Sequence, residues 1–531
     1  MTASVKSRTS VNGSAPGAGP HPQQDGPESR KGTGDLTASA PGRRFCDCAF
    51  ALLALWQLAW MVRWGGAQLW FDEVITLNNY CGAFSAKATL WSVFRNYSLA
   101  NNHILSSAVY WGWLKLCPPE SFELWLRLPS IAFGMATTAA AYWGWRRFLG
   151  CRLALFASAL LAASPVFLPF AYQIRGYALS MLLSALAMPP MMAVMRHGGT
   201  VPRQLALFFL LALQALIMPS GAILAAAVAA AILLAHPKRW VDAIPAALGG
   251  AAGLSYYLTL WTQFRAAAID AGSISRDWWT CAGSARHVAA AFAIHAAAAL
   301  AILGWAMARR RQWQWQWRKW KAPLSMFLGM ALAESAMYLA AGSQRVPFPR
   351  NSLIMLPFFT LAVVSAMRCA RIRLLANWQC GAALLATVLC GLAVITASVR
   401  RERQLVAAGD IPQNLLMQQY RGDCSMRDFA GNLASAGIGR QCLLLVSDND
   451  GAVAKWYFKC RRLPAENVFD RTDALQLTPP LRWHFPARGR WPLFIGARLY
   501  PEAVQLANIA GYEGAGEELM ATSHRQFRQA R

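Results

Sequence analysis

From Phe45 to Ser398 the chain is a succession of apolar runs: 45–62, 128–147, 151–168, 176–195, 204–218, 220–235, 240–261, 285–308, 323–342, 351–368 and 379–398. A helix needs about 17–25 mostly apolar residues to cross hydrocarbon. The pattern therefore predicts an α-helical polytopic membrane protein with about eleven transmembrane helices. The 204–218 and 220–235 runs are short and joined only by Pro219, which reads as a hairpin. Charged residues make up 14% of the chain, against about 25% in a typical soluble domain. That argues against both a soluble enzyme and a disordered chain.

The formal net charge is +26. In a soluble protein it would point to nucleic acid, but here the cations lie in the loops between apolar runs. With the N-terminus inside and the runs alternating, Lys and Arg are more than twice as dense on the inner side as on the outer, as the positive-inside rule requires. No nucleic-acid partner is expected. Residues 1–44, rich in Ser, Gly, Pro and Thr, read as a disordered cytoplasmic tail. Phe45–Val62 is too deep and too long for a cleaved signal and reads as a retained helix. Arg309–Lys321 (RRRQWQWQWRKWK) reads as an anchor at the membrane interface.

After Ser398 the texture changes. Residues 399–531 hold 13 of the 25 acidic residues and no spanning run. Gln441–Val446 and Trp491–Leu499 read as strands, Ser447–Asp450 as a turn and Asp428–Ala436 as a helix. The expectation is a small C-terminal α/β domain, outside the membrane, following a transmembrane module over 45–398. In an oxidising compartment Cys81, Cys117, Cys281, Cys424, Cys442 and Cys460 become candidates for disulfides. The 12 Cys form no paired CxxC array, so no zinc ribbon is indicated.

The chemistry-bearing residues cluster in the outer segments. The longest, 63–127, opens on Trp70-Phe71-Asp72-Glu73, and its His103–Leu116 stretch is amphipathic and rich in Trp and Tyr. That stretch suits a juxtamembrane helix along the outer interface. Adjacent carboxylates do not share a helix face, so Asp72 and Glu73 have different jobs: one suits a general base, the other pairing with an Arg or orienting a neighbour. The same pair also suits a helix start stabilised by acidic side chains. A second cluster runs from Tyr172 to Tyr177 around Arg175, which suits either a two-pronged grip on a lipid phosphate or snorkelling to the interface. A third contains Arg345 and Arg350.

Four stretches in order resemble the GT-C superfamily of polyprenol-dependent glycosyltransferases, in its bacterial branch akin to protein O-mannosyltransferases and the lipid A aminoarabinose transferase. They are Phe71-Asp72-Glu73; Asn101-Asn102-His103-Ile104-Leu105, where relatives often carry a Pro-Pro; Leu126-Arg127-Leu128-Pro129-Ser130; and Ser164-Pro165 followed by Gln173-x-Arg175-x-Tyr177. Arg350 ahead of Leu356-Pro357 looks like the family's late Arg-to-Pro span. The resemblance implies a GT-C-like fold in a bacterial inner membrane. It implies transfer of a sugar from a polyprenyl-phosphate donor to an envelope acceptor on the outer face, without a metal. By that likeness Asp72 is the catalytic carboxylate with Glu73 beside it. Arg175 holds the donor phosphate, with His103, Asn102, Tyr177, Arg345 and Arg350 as further donor-binding candidates.

The main alternative is a secondary transporter. Such proteins hold ionisable residues near the midplane, and Glu334 and His295 lie inside apolar runs. An intramembrane carboxylate is a candidate site by default.

Overall fold

The computed structural model describes residues 40–97, 102–263, 265, 317–341, 353–369, 377–407, 426–435, 443–446, 448–470 and 493–495. Helices dominate. The chain opens with α1 (Ala40–Gly65), which begins five residues before the predicted run. Pro41 falls in its first turn, where a missing N–H costs no hydrogen bond. The outer segment then folds into α2 (Phe71–Ile75), a π turn over Thr76–Tyr80, α3 (Leu90–Arg95) and α4 (Ile104–Trp113). There follow α5 (Glu123–Ala139), a π turn over Ala140–Gly144, α6 (Trp145–Leu149), α7 (Cys151–Ala162), α8 (Phe167–Ala171), α9 (Tyr177–His197), α10 (Val201–Ile217), α11 (Gly221–Ala235) and α12 (Ile244–Ser255). Beyond lie α13 (Trp317–Ala341), α14 (Leu356–Cys369) and α15 (Asn377–Ala407). The predicted run 285–308, with His295, lies outside the described residues.

Helix α9 is central and α1 is at the rim: 67% of the apolar window of α9 is buried, against 28% for α1. These two are, among the described residues, the helices long and apolar enough to cross a membrane by themselves, while α7, α10 and α11 are apolar but shorter. The outward faces are apolar as well. Leu52, Leu55, Leu58 and Val62 are exposed on α1, and Val201, Leu205, Phe209 and Leu213 on α10. Spacings of three and four place each set on one helix face. Long exposed stripes of this kind are unfavourable in water and suit lipid.

Two devices pack the helices. On α12, Gly249 and Gly253 sit four apart against α10, where added Cβ atoms would collide with the carbonyls of Phe208 and Ala212. Small residues at this spacing let helix backbones approach closely. The second device uses proline with tryptophan. Pro129 inside α5 has no N–H for the carbonyl of Trp125, and the Trp113 indole donates to it at 3.0 Å. Pro189 inside α9 likewise leaves the Ala185 carbonyl, which the Trp145 indole takes at 3.1 Å. At Pro129 and Pro189 the freed carbonyl thus has a replacement donor.

The C-terminal part contains α16 (Met426–Ser435), β1 (Leu443–Val446), α17 (Asp448–Cys460), β2 (Val468–Asp470) and β3 (Leu493–Ile495). The strands form a parallel sheet in the order β2-β1-β3. Of the predicted turn over Ser447–Asp450, the residues from Asp448 on begin α17 instead, and Ser447 lies outside the described residues. Trp456, Tyr457 and Phe458 of α17 share a core with Leu69, Val74 and Leu77 of the outer segment. Of the six disulfide candidates, Cys81, Cys117 and Cys460 are free thiols. Cys81 donates to the Ser107 carbonyl and Cys460 to that of Pro119. Cys281, Cys424 and Cys442 lie outside the described residues.

Candidate active site

Helix α2 is only five residues long, so its own hydrogen bonds cannot fix it. Its anchor is Glu73. Oε2 of Glu73 accepts from the amide of Trp70 at 2.9 Å, closing the first turn. Arg127, from the start of α5, grips the same carboxylate at two points: Nε to Oε1 at 2.8 Å and Nη2 to Oε2 at 2.5 Å. The amide of Ile174 donates to Oε1 at 2.9 Å. Four N–H groups thus surround a carboxylate that is 1% exposed. A bidentate arginine and backbone amides are the geometry in which a carboxylate makes its strongest hydrogen bonds.

Glu73 therefore ties two short segments together, and each carries a neighbour of interest. Asp72 precedes Glu73, and Arg175 follows Ile174. The 172–176 segment is held from its other side too. The carbonyl of Gln173 accepts from the amide of Arg175 at 2.7 Å and from Oγ of Ser130 at 2.5 Å. Ser130 has spent its proton there, so the hydroxyl of Tyr110, 2.5 Å away, donates to Ser130.

Asp72 and Arg175 then face one another, with Oδ2 of Asp72 3.9 Å from Nη2 of Arg175. That is ion-pair distance, beyond hydrogen-bond length. The guanidinium is fully buried, and its Nη1 reaches the Asp72 carbonyl at 3.3 Å and Oγ1 of Thr76 at 3.5 Å. His103, at the start of α4, completes the group. The amide of Gly176 donates to its Nδ1 at 2.7 Å. A neutral imidazole accepting at Nδ1 carries its proton on Nε2, and Nε2 lies 3.5 Å from Nη2 of Arg175. In that tautomer Nε2 of His103 and Nη2 of Arg175 are both donors, 3.5 Å apart beside the Asp72 carboxylate. Gly176 is required for this approach, because a Cβ there would come within 2.5 Å of the ring.

The other predicted residues divide. Tyr177 stands edge-on to the His103 ring at 4.9 Å, with the Arg175 guanidinium 5.8 Å from its centroid, within cation–π reach. Asn102 is buried one residue from His103 but serves the loop: Nδ2 donates to the carbonyl of Asn96 at 2.6 Å, and Oδ1 accepts from Ser107 at 2.7 Å. Arg345 and Arg350 lie outside the described residues. Glu334 is half-buried on α13, a different element. Sequence reasoning missed the roles of Arg127, Thr76 and Tyr97. Burial pushes the Tyr97 phenol up, and the Arg175 guanidinium pulls it partly back, so Tyr97 also lies within the field of the cluster.

The chain has the fold of ArnT from Cupriavidus metallidurans, the GT-C fold that the sequence motifs resemble. The apo crystal structure of that protein superposes with a TM-score of 0.50 over 88% of this chain and 95% of that one, at 14% identity. ArnT bound to undecaprenyl phosphate gives 0.49 over 86% and 94%, at 13% identity. No protein-family model and no curated protein matches the chain.

Proposed function

We propose that this protein is an integral-membrane glycosyltransferase that moves a sugar from a polyprenyl-phosphate donor to an envelope acceptor. The observation that carries this reading is the convergence of Arg175 Nη2 and His103 Nε2, 3.5 Å apart, beside the Asp72 carboxylate. Buried cationic donors suit a phosphate, and an adjacent carboxylate suits a base. In the reaction an acceptor hydroxyl or amine attacks the anomeric carbon of the sugar. A bond forms from the acceptor to that carbon, and the bond from the carbon to the phosphate oxygen breaks. The phosphate leaves with the electron pair, its charge met by Arg175 and His103. The acceptor proton passes to Asp72. Glu73 takes no part in the proton transfer, since protein donors occupy both its oxygens.

The reading needs no metal, because the leaving group's charge is met by side chains. About eleven spans would carry the module across the membrane. The joint core of Leu69, Val74 and Leu77 with Trp456 and Tyr457 supports placing the C-terminal part on the same side as residues 63–127. The positive-inside pattern makes that the outer side.

The test uses purified protein and a radiolabelled polyprenyl-phosphate sugar pool in detergent, with chelator present. Wild type should consume the donor. Arg175→Lys should raise the donor requirement, because lysine keeps the charge and loses the planar fork. Arg175→Ala should raise it about 10- to 150-fold, the equivalent of one charge-assisted hydrogen bond. No binding or consumption by wild type, with solute movement across proteoliposomes instead, would overturn this reading in favour of transport.

A further inference from the structure

The five residues that lead into α2 are each held from elsewhere in the chain. Arg127 donates to the carbonyls of Gly65 at 2.7 Å, Ala67 at 2.5 Å and Gln68 at 3.1 Å. Arg427 of α16 donates to the carbonyl of Gly66 at 3.1 Å. The amide of Leu69 donates to the hydroxyl of Tyr457 on α17 at 2.8 Å. Two of these three holders belong to the C-terminal part.

Those two are joined to each other through Glu123, the first residue of α5. Tyr457 donates to its Oε1 at 2.9 Å, and Arg427 to its Oε2 at 3.0 Å. The Glu123 carboxylate is 5% exposed, so its charge is met inside the protein. The Tyr457 hydroxyl both accepts and donates, which fixes its orientation. Thus Leu69 N, Tyr457, Glu123, Arg427 and Gly66 O form one closed chain of hydrogen bonds around the 66–69 backbone.

We infer that Tyr457 and Arg427 are positioning residues: through Glu123 they clamp residues 66–69 and thereby set where Asp72 stands relative to Arg175. The inference rests on the transfer reading above. Its physical basis is the shortness of α2. A helix of five residues has no rigidity of its own, so Asp72 is placed by Glu73 on one side and by the incoming backbone on the other. Misplacing a reacting group by about 1 Å costs on the order of 100-fold in rate. The C-terminal part then belongs to the catalytic unit.

The experiment uses the full chain in detergent and compares Tyr457→Phe, Arg427→Gln and Arg427→Lys with Leu155→Ala, which removes a buried side chain of α7 in a core separate from that of the clamp. Amide exchange of the peptide over 65–76 reports on the clamp without requiring activity. It should quicken in Tyr457→Phe and Arg427→Gln, less in Arg427→Lys, which keeps a cation against Glu123, and stay unchanged in Leu155→Ala. Per folded molecule, kcat should fall about 10- to 100-fold in Tyr457→Phe, with the donor KM little altered. Leu155→Ala should lower the melting temperature and leave kcat unchanged. Unchanged exchange over 65–76 in Tyr457→Phe would overturn the clamp. Faster exchange with normal kcat would overturn its catalytic consequence. If wild type consumes no lipid-linked sugar, the transfer reading fails by itself, and the exchange result still upholds or overturns the clamp.

Discussion

Arg127 spends all five of its guanidinium N–H groups on the entrance to α2: two on the carboxylate of Glu73 and three on the carbonyls of Gly65, Ala67 and Gln68. Both partners of the pair are buried. This is a structural ion pair beside a looser one, the 3.9 Å approach of Asp72 to Arg175. The two adjacent carboxylates therefore differ in commitment. One is gripped at two points by Arg127, and the other stands 3.9 Å from Arg175.

Breaking the tight pair should damage folding. Glu73→Gln leaves Arg127 buried beside a neutral amide, and loss of one partner of a buried ion pair costs about 3–5 kcal/mol. Replacing both residues by leucine should not restore stability, because the three carbonyls would still lose their donors. Melting of the detergent-solubilised variants checks this. A double variant as stable as wild type would remove the structural role given to Arg127.

The apolar runs were legible because a bilayer imposes length and composition directly on sequence. Asp72 and Arg175 were legible as ionisable residues beside spans. Asn102 was not distinguishable from its neighbour His103, since both are polar and only the loop geometry shows which faces Arg175. Arg127 stood out only as part of a motif leading into a span, with no role of its own, because its partner Glu73 lies 54 positions away. Tyr457 and Arg427 left no trace, with partners more than 300 positions distant. Helix α17 was hidden by the Ser-Asp-Asn-Asp string, in which turn residues and helix-start residues are the same amino acids.

Asp72→Asn should leave folding intact and remove transfer. The substitution keeps volume and takes away the base, and a lost acid–base group costs at least ~100-fold. The measurement is single-turnover consumption of donor alongside amide exchange of the 65–76 peptide. Near-normal turnover would return Asp72 to the part of a helix-start acid.

The proline–tryptophan device makes a prediction about stability alone. Trp145→Phe should strand the buried Ala185 carbonyl and cost about 1–3 kcal/mol. Adding Pro189→Ala supplies an N–H at the position that normally bonds four residues back, so the double variant should recover most of the loss. Melting temperatures of the four proteins close the cycle. Equal losses in the single and double variants would show that the indole N–H does not serve this carbonyl.

Cys460 offers a pH readout of the joint between the C-terminal part and the outer segment. Burial, with Glu120 and Glu123 nearby, pushes its thiol from about 9.0 up to about 12. Because the folded value is raised, the stability it contributes is whole below the ordinary value and is lost as pH rises from about 9 towards about 12. Alkylation of Cys460 at pH 8 should be slow in wild type, while Cys390, which is exposed, should react readily where reagent reaches it. Rapid labelling of Cys460 in folded protein would contradict the packing against Pro119.

His103 allows its two nitrogens to be tested separately. Asparagine places an amide oxygen near the position of Nδ1, and glutamine places an amide nitrogen near that of Nε2. His103→Asn should keep the acceptor for the Gly176 amide and lose the donor facing Arg175. It should melt close to wild type and need more donor, by about 10-fold or more for one lost charge-assisted bond. His103→Gln should do the reverse, leaving the Gly176 amide buried without its acceptor at a cost of about 1–3 kcal/mol while donor affinity is largely kept. Titrations of polyprenyl phosphate alone, with melting curves for both variants, separate the outcomes. If both variants lose stability and neither changes donor affinity, His103 is a strut for the Gly176 turn and Arg175 holds the phosphate without it.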